Sequence, residues 1–181
     1  MNITIREINE NDIEKIRQWR NSDLIQNVSY NRDYISADAQ KAWYESIKNI
    51  KSQLHWVINI NGVDAGYCAI KHIDLINKRC EFASLYIGNP DFLLNGAGAL
   101  AEFKIIDYIY SNYANIDKIY CEVLESNKKV VRLHERFGFV IEGVLKQHYF
   151  INKQYDNVVL LALFKDSWAE KKPFLERLLI K

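Results

Sequence analysis

The chain has 181 residues, of which 49% are hydrophobic, and a formal net charge of +1. This length and composition predict one globular domain over residues 1–181, and they exclude a disordered or collagen-like chain. The nearly balanced charge gives no strong field that would favour nucleic acid or an anionic membrane as a partner.

No segment is typical of secretion, membrane insertion or metal binding. The first twenty residues carry charges throughout, so they do not predict a signal peptide, and no run of eighteen apolar residues predicts a transmembrane helix. Neither the cysteines nor the four histidines are spaced as metal ligands, so we expect no metal. The cysteines lie in apolar, strand-like segments, which indicates reduced core thiols of a cytoplasmic protein; they are Cys68, Cys80 and Cys121.

The first fifty residues predict one strand and two helices. Residues 3–7 alternate apolar and polar side chains, as a strand does. Asn11, with a glutamate three residues later, predicts the N-cap of a helix that ends near residue 20. Residues 22–35 show no period and read as a loop. Ser36 predicts the cap of a second helix over residues 37–50.

A hairpin follows these helices. Asn61 and Gly62 separate two apolar runs, residues 54–60 and 63–70, and Asn-Gly favours a tight turn because both positions require positive φ. After a turn near residues 77–78, the segment 80–88 predicts another strand.

The second half alternates helices and strands. Two glycines at 96 and 98 open a helix, and a strand and a helix ending at Gly138 come next. The remaining segments are strand-rich with a turn at residues 152–153, and Pro173 suits the first turn of a terminal helix. The order is β-α-α-β-β-β-α-β-α-β-β, which predicts an α/β (α+β) fold with a mixed sheet of about seven strands and flanking helices.

Two motifs resemble those of the GNAT superfamily of acetyl-CoA-dependent N-acetyltransferases. Residues 93–98 are similar to its Arg/Gln-x-x-Gly-x-Gly/Ala motif, with Leu93 at the Arg/Gln position. Residues 127–139 are similar to its Asn-x-x-Ala-x-x-Leu-Tyr-x-x-x-Gly-Phe motif, with His134 at the tyrosine position. The resemblance covers nearly the whole chain and implies the GNAT fold, in which the sheet is splayed between the fourth and fifth strands.

The resemblance implies acetyl-CoA as the cosubstrate. Bare N–H groups at a helix start can bind an anion, here the pyrophosphate, and the unpaired fourth strand can pair with the pantetheine arm. An N–H near residues 85–86 would hold the oxyanion. The cofactor-binding residues implied in this way are Leu85, Tyr86, Ile87, Asn95, Gly96, Ala97, Gly98, Ala99 and Asn127.

The implied reaction is direct attack of a primary amine on the thioester. His134 is the candidate general acid, whose help is useful rather than indispensable because a thiol is a moderate acid, with a pKa of about 8.5. Glu81 and Glu122, on the strands that flank the splay, are the candidate bases, and Glu81 is preferred because it adjoins the cofactor strand.

The acceptor is predicted from the N-terminal part. Residues 18–21, "QWRN", resemble a subgroup that acetylates nucleotide-linked amino sugars, of which the pseudaminic-acid pathway enzyme is the best-known member. Residues 17–32 hold three arginines and one acidic residue, which suits a UDP- or dTDP-linked diphosphate better than a polyamine. The predicted substrate-binding residues are Arg20, Asn21, Tyr30, Trp43 and Trp56.

Two alternatives stay open at this point. One is a ribosomal-protein N-terminal or polyamine (spermidine) acetyltransferase, which the C-terminal segments also resemble. The other is a non-catalytic acyl-CoA-binding domain, which the missing tyrosine would suit. In each case the expected partner is a small molecule or peptide, and exposed strand edges leave room for a homodimer.

Overall fold

The computed structural model describes residues 1–180 and has a seven-stranded mixed sheet. In chain order the strands are β1 (Ile3–Glu7), β2 (Leu54–Ile60), β3 (Val63–Asp74), β4 (Arg79–Ile87), β5 (Lys118–Leu124), β6 (Val140–Ile151) and β7 (Gln154–Phe164). The helices are α1 (Ile13–Arg20), α2 (Asp23–Gln26), α3 (Ala37–Ile47), α4 (Ala97–Asn112), α5 (Lys128–Phe137) and α6 (Lys165–Leu179). The strands lie in the order β1-β2-β3-β4-β5-β7-β6, and only β4 and β5 are parallel neighbours. The predicted mixed sheet of seven strands is confirmed.

Alternate residues of β3 contribute to two separate hydrophobic cores, because successive side chains of a strand point to opposite faces of the sheet. Cys68 and Ile70 belong to the larger core, which includes residues of α4 and α6. Tyr67 and Ala69 belong to the smaller core, which includes residues of α1 and α3. Helices therefore cover both faces of the sheet.

The two tight turns predicted from local sequence are confirmed. Asn61 and Gly62 have φ of 52° and 88°, and Asn152 and Lys153 have φ of 51° and 64°. Positive φ at both central positions matches the right-handed twist of the flanking strands. β3 and β6 extend further than the sequence predicts. Each strand continues through a register irregularity next to a residue of positive φ, which is His72 in β3 and Gln147 in β6.

The cap of the first helical segment lies two residues earlier than predicted. The Asn9 side chain accepts from the Asn11 N–H at 2.9 Å, and the Asp12 carboxylate accepts from the Asn9 N–H at 2.8 Å. The reason is a short 3-10 turn before α1, which brings Asp12 within reach of Asn9. Glu14 pairs with Arg17 at 2.7 Å instead of capping the helix.

The segment predicted as a loop contains α2 and is closed by Asn21. The Asn21 side-chain amide bonds both the N–H and the C=O of Ile35, at 2.8 and 2.9 Å. These two bonds tie the end of α1 to the residue that precedes the Ser36 cap of α3.

The terminal helix begins at Lys165, so Pro173 lies inside it and not in its first turn. Trp168 and Leu175 are both buried, and their packing extends the helix toward its N-terminus. Proline removes a single backbone donor from a helix interior, a loss that this packing offsets.

The three cysteines lie buried, as their apolar surroundings predict. Within residues 1–180, no helix has the length and apolar character needed to cross a membrane. Over that same span, acidic, histidine and cysteine side chains form no group of three or more that would hold a metal ion.

Candidate active site

The sheet splits between β4 and β5. The two strands pair only where Arg79, Cys80 and Glu81 meet Lys118, Ile119 and Tyr120. Beyond Glu81, β4 continues to pair with β3, and β5 continues to pair with β7 along its whole length. The segment 82–87 of β4 therefore has a ladder on one side only.

Along β4, the backbone N–H and C=O groups of successive residues point alternately toward β3 and toward the split. Gly88 donates to the carbonyl of Ala65 at 2.8 Å, so the N–H of Gly88 points away from the split. In an antiparallel ladder, every second residue bonds the same neighbour, so Tyr86 also faces β3. Leu85 and Ile87 then direct their N–H and C=O groups into the split. The backbone of Tyr86 does not face the split, so Leu85 is the better oxyanion donor of the two.

The glycine turn leaves open space at the start of α4. Gly96 adopts the left-handed conformation, with φ of 80° and ψ of 10°, which favours glycine. A Cβ atom at Gly96 or Gly98 would meet no atom within 4 Å. Asn95 accepts from the Ala97 N–H at 3.2 Å, so the next donors of the first turn belong to Gly98 and Ala99. The helix dipole favours an anion in this space.

A cavity of about 360 Å³ joins the split to this turn. Five of the nine predicted cofactor-binding residues line it: Leu85, Tyr86, Ile87, Gly98 and Asn127. The other four, which belong to the adjoining turn, are Asn95, Gly96, Ala97 and Ala99. The cavity is also lined by Tyr30, Glu122 and His134, so it connects the predicted cofactor groups with predicted catalytic groups.

Asn127 precedes α5, but its side chain makes no capping hydrogen bond to that helix. The backbone carbonyl of Asn127 accepts from Val130 and Val131 instead. The Asn127 amide therefore lines the cavity with donor and acceptor capacity that the helix does not use.

His134 is held by a carboxylate that the sequence did not indicate. Its Nδ1 lies 2.7 Å from Oε1 of Glu102, and both side chains are buried, with 4% and 1% of their surfaces exposed. Burial by itself would lower the pKa of His134, but the Glu102 carboxylate and the Cys121 thiol raise it to about 10. A histidine in this setting carries its proton at neutral pH.

The two candidate bases lie near an aromatic pair, where β4 and β5 begin to diverge. Burial, and then the nearby charge of Glu122, raise the pKa of Glu81 against the opposing effects of His72 and Lys71. Tyr30 stacks on Tyr149, with ring centroids 4.5 Å apart and 6° between the planes. Burial and the charge of Glu122 raise the pKa of Tyr30, which places the phenol near that carboxylate.

The remaining predicted substrate residues separate into three environments. Arg20 and Trp43 line a second cavity of about 180 Å³, together with Gln40 and Tyr86. Asn21 is engaged with Ile35, as described above. Trp56 is 3% exposed in the larger core, where it packs edge-on against Tyr108, so the expectation that it contacts substrate is not supported.

Three residues in or beside these cavities were missed from the sequence. They are Gln40, Glu102 and Tyr149. Each lies within a helix or strand whose pattern is explained by ordinary packing, and none belongs to a motif. Only the three-dimensional pairing shows them.

A helix N-terminus open to an anion, next to a strand with unpaired backbone, suits an extended carrier that ends in phosphate groups. Residues 2–140 match the acetyltransferase (GNAT) domain family, and the chain belongs to this family.

Relatives span most of the chain. The spermidine N(1)-acetyltransferase of Escherichia coli (strain K12) is 24% identical over 171 residues, which cover 94% of this chain and 90% of that protein. A putative ribosomal N-acetyltransferase of Bacillus subtilis is 23% identical over 123 residues, which cover 63% of this chain and 66% of that protein.

Solved structures share the fold. The spermidine N-acetyltransferase of Vibrio cholerae, in complex with CoA and spermine, superposes with a TM-score of 0.84 at 25% identity, covering 92% of this chain and 98% of that one. An N-acetyltransferase of Staphylococcus aureus has a TM-score of 0.75 at 18% identity, covering 91% and 99% of the two chains.

The chain is an acetyl-CoA-dependent N-acetyltransferase that acts on a small-molecule amine. The residues present fit acetyl-CoA, because the open space at Gly98 and the unpaired backbone of Leu85 and Ile87 match its diphosphate and its extended arm. The cofactor supplies an activated acetyl group. The non-catalytic alternative is set aside.

We predict that Gly98→Val raises the KM for acetyl-CoA about tenfold while the melting temperature changes little. The valine Cβ would enter the open space beside the first turn of α4, where it would meet no protein atom within 4 Å, and the side chain would displace an anion bound there. Steady-state kinetics with varied acetyl-CoA measure the effect.

Gly143→Val is the matched control, because Gly143 lies on β6 and lines neither cavity. An unchanged KM in Gly98→Val would show that the anion binds elsewhere.

Proposed function

We propose that this enzyme acetylates a primary amine of a polyamine of the spermidine class. The observation that carries the proposal is the pair of carboxylates, Glu81 and Glu122, beside the Tyr30–Tyr149 stack, where β4 and β5 begin to diverge. Carboxylates attract the ammonium groups of a polyamine, and aromatic faces attract them further. Relatives at 24% identity that act on spermidine support the same acceptor.

The arginines that favoured a nucleotide diphosphate are largely engaged within the protein. Arg17 forms an ion pair with Glu14 at 2.7 Å and also donates to Tyr34 and to the carbonyl of Ile35. Arg32 donates to the backbone carbonyls of residues 27 and 29. These two arginines therefore already have protein partners for a diphosphate to displace, which weakens the nucleotide-sugar hypothesis.

The site residues divide the chemistry among them. Glu122 is exposed and anchors a remote ammonium group, whereas Glu81 is half-buried and takes the proton from the attacking amine. A raised pKa makes Glu81 a stronger base than an ordinary glutamate. The N–H of Leu85 stabilises the oxyanion, and His134 donates a hydrogen bond to the departing sulfur.

A second candidate acceptor is a nucleotide-linked amino sugar, and the second cavity favours it. Arg20 Nε, Gln40 Nε2 and Tyr86 Oη are buried without a hydrogen-bond partner, and all three residues line this cavity with Lys71. Among the described residues that line it, there is no carboxylate. Such a donor-rich cavity suits an oxygen-rich, negatively charged group.

We predict that spermidine gives a kcat/KM about 100-fold above that of UDP- or dTDP-linked 4-amino-4,6-dideoxy sugars and of a peptide with an N-terminal alanine or serine. The measurement is CoA thiol release with each acceptor at a fixed acetyl-CoA concentration. Preference for the nucleotide sugar, with a loss of kcat/KM for it in Arg20→Met, would contradict the polyamine proposal and support the second candidate.

We predict that Glu81→Gln lowers kcat about 100-fold and removes the acidic limb of the pH profile of kcat. Activity of the wild type should rise with pH through the pKa of Glu81, because the base must lose its proton first. Glu122→Gln should instead raise the KM for spermidine about fivefold, which is the effect of losing one exposed ion pair. Equal effects of the two substitutions on kcat and KM would contradict these separate roles.

A further inference from the structure

The Glu102–His134 pair lies on the wall of the cofactor cavity. Both residues line that cavity together with Cys121. α4 contributes Glu102 and α5 contributes His134, so two helices must pack together to bring the 2.7 Å contact about. The pair therefore forms part of the site that binds acetyl-CoA.

Few groups other than Glu102 can influence the charge of the His134 ring. The Phe82 ring of β4 lies edge-on at 5.9 Å, and the Phe139 ring lies at 4.8 Å. β5 contributes the Cys121 thiol. The titratable groups that face the ring are thus one carboxylate and one thiol, and no described lysine or arginine forms an ion pair with Glu102.

Glu102 retains one oxygen with no partner. Oε1 accepts from His134, whereas Oε2 is buried and makes no hydrogen bond. Leaving a buried carboxylate oxygen unsatisfied costs on the order of 1–3 kcal/mol. A purely structural role for Glu102 would not explain this arrangement, because an apolar side chain of similar size would fill the same space without that cost.

We propose that Glu102 is a positioning residue that keeps His134 protonated throughout the reaction, so that His134 offers a permanently charged Nε2–H donor to the sulfur released by acetyl transfer. Nδ1 is committed to Glu102, which leaves Nε2 as the ring nitrogen that can donate to the sulfur. Glu102 acts through His134 and does not itself contact the reacting atoms.

The proton balance follows from this arrangement. As the amine nitrogen bonds to the acetyl carbon, the carbon–sulfur bond breaks and its electron pair moves to sulfur. The amine proton passes to the carboxylate base and then to solvent. His134 retains its own proton and stabilises the thiolate by a charge-assisted hydrogen bond, because the Glu102 carboxylate 2.7 Å from Nδ1 raises the pKa of the ring to about 10.

The first test measures the charge of His134 in the protein without acetyl-CoA. We expect the ¹⁵N chemical shifts of the His134 ring to remain those of an imidazolium from pH 6 to pH 8.5. In Glu102→Gln they should be those of a neutral ring above pH 7, because burial lowers the pKa once the carboxylate is gone. A wild-type ring that becomes neutral between pH 6 and pH 7 would overturn the proposal without any variant.

The second test measures the effect on the sulfur. We expect the ratio of the dissociation constant of CoA to that of a desulfo analogue to fall about tenfold between pH 7 and pH 9.5 in the wild type. The reason is that the thiolate, which the analogue lacks, pairs with the imidazolium. Glu102→Gln should show no such change. A wild-type dissociation constant of CoA that likewise does not change with pH would contradict the proposal.

The third test separates positioning from structural support. We expect Glu102→Gln to lower kcat about tenfold or more at pH 8.5, about as much as His134→Phe, and Glu102→Asp to restore part of the loss. Glu135→Gln is the matched control, because Glu135 is exposed on α5 next to His134. A lower melting temperature in Glu102→Gln with an unchanged pH profile of kcat would mean that the pair serves the fold alone.

Discussion

The parallel pairing of β4 with β5 ends after three residue pairs, and the rest of the site depends on that end. β4 remains fixed by its ladder to β3, and β5 by its ladder to β7, so the two strands diverge as rigid halves of one sheet. Buried backbone groups require partners, and those of Leu85 and Ile87 have none in the split. The split is therefore a binding surface whose hydrogen bonds an extended ligand completes.

The two ends of this surface carry different electrostatic character. At the wide end, the first turn of α4 suits the negative diphosphate of the carrier. At the narrow end, where β4 and β5 stop pairing, Glu81 and Glu122 suit the cationic acceptor proposed above. In the proposed reaction, the amine and the thioester meet near the N–H of Leu85, the proposed oxyanion donor.

Features encoded by neighbouring residues were predictable from the sequence, and features encoded by distant pairs were not. The Asn61-Gly62 and Asn152-Lys153 turns and the left-handed Gly96 depend on local backbone preferences. The partner of His134 lies 32 residues away on another helix, so no local pattern indicates it. The prediction for Trp56 was wrong because its ring is buried in the core. The prediction for Pro173 was wrong because buried residues of α6, and not the proline, decide where that helix begins.

Backbone hydrogen exchange of β4 tests the central claim most directly. Without ligand, the amides of Leu85 and Ile87 should exchange rapidly, whereas the amide of Tyr86, which bonds β3, should exchange slowly. Addition of CoA should slow the exchange of Leu85 and Ile87 by about tenfold or more and leave Tyr86 nearly unchanged. Equal protection of all three amides before CoA is added, or no change when it binds, would show that the split is not where the carrier lies.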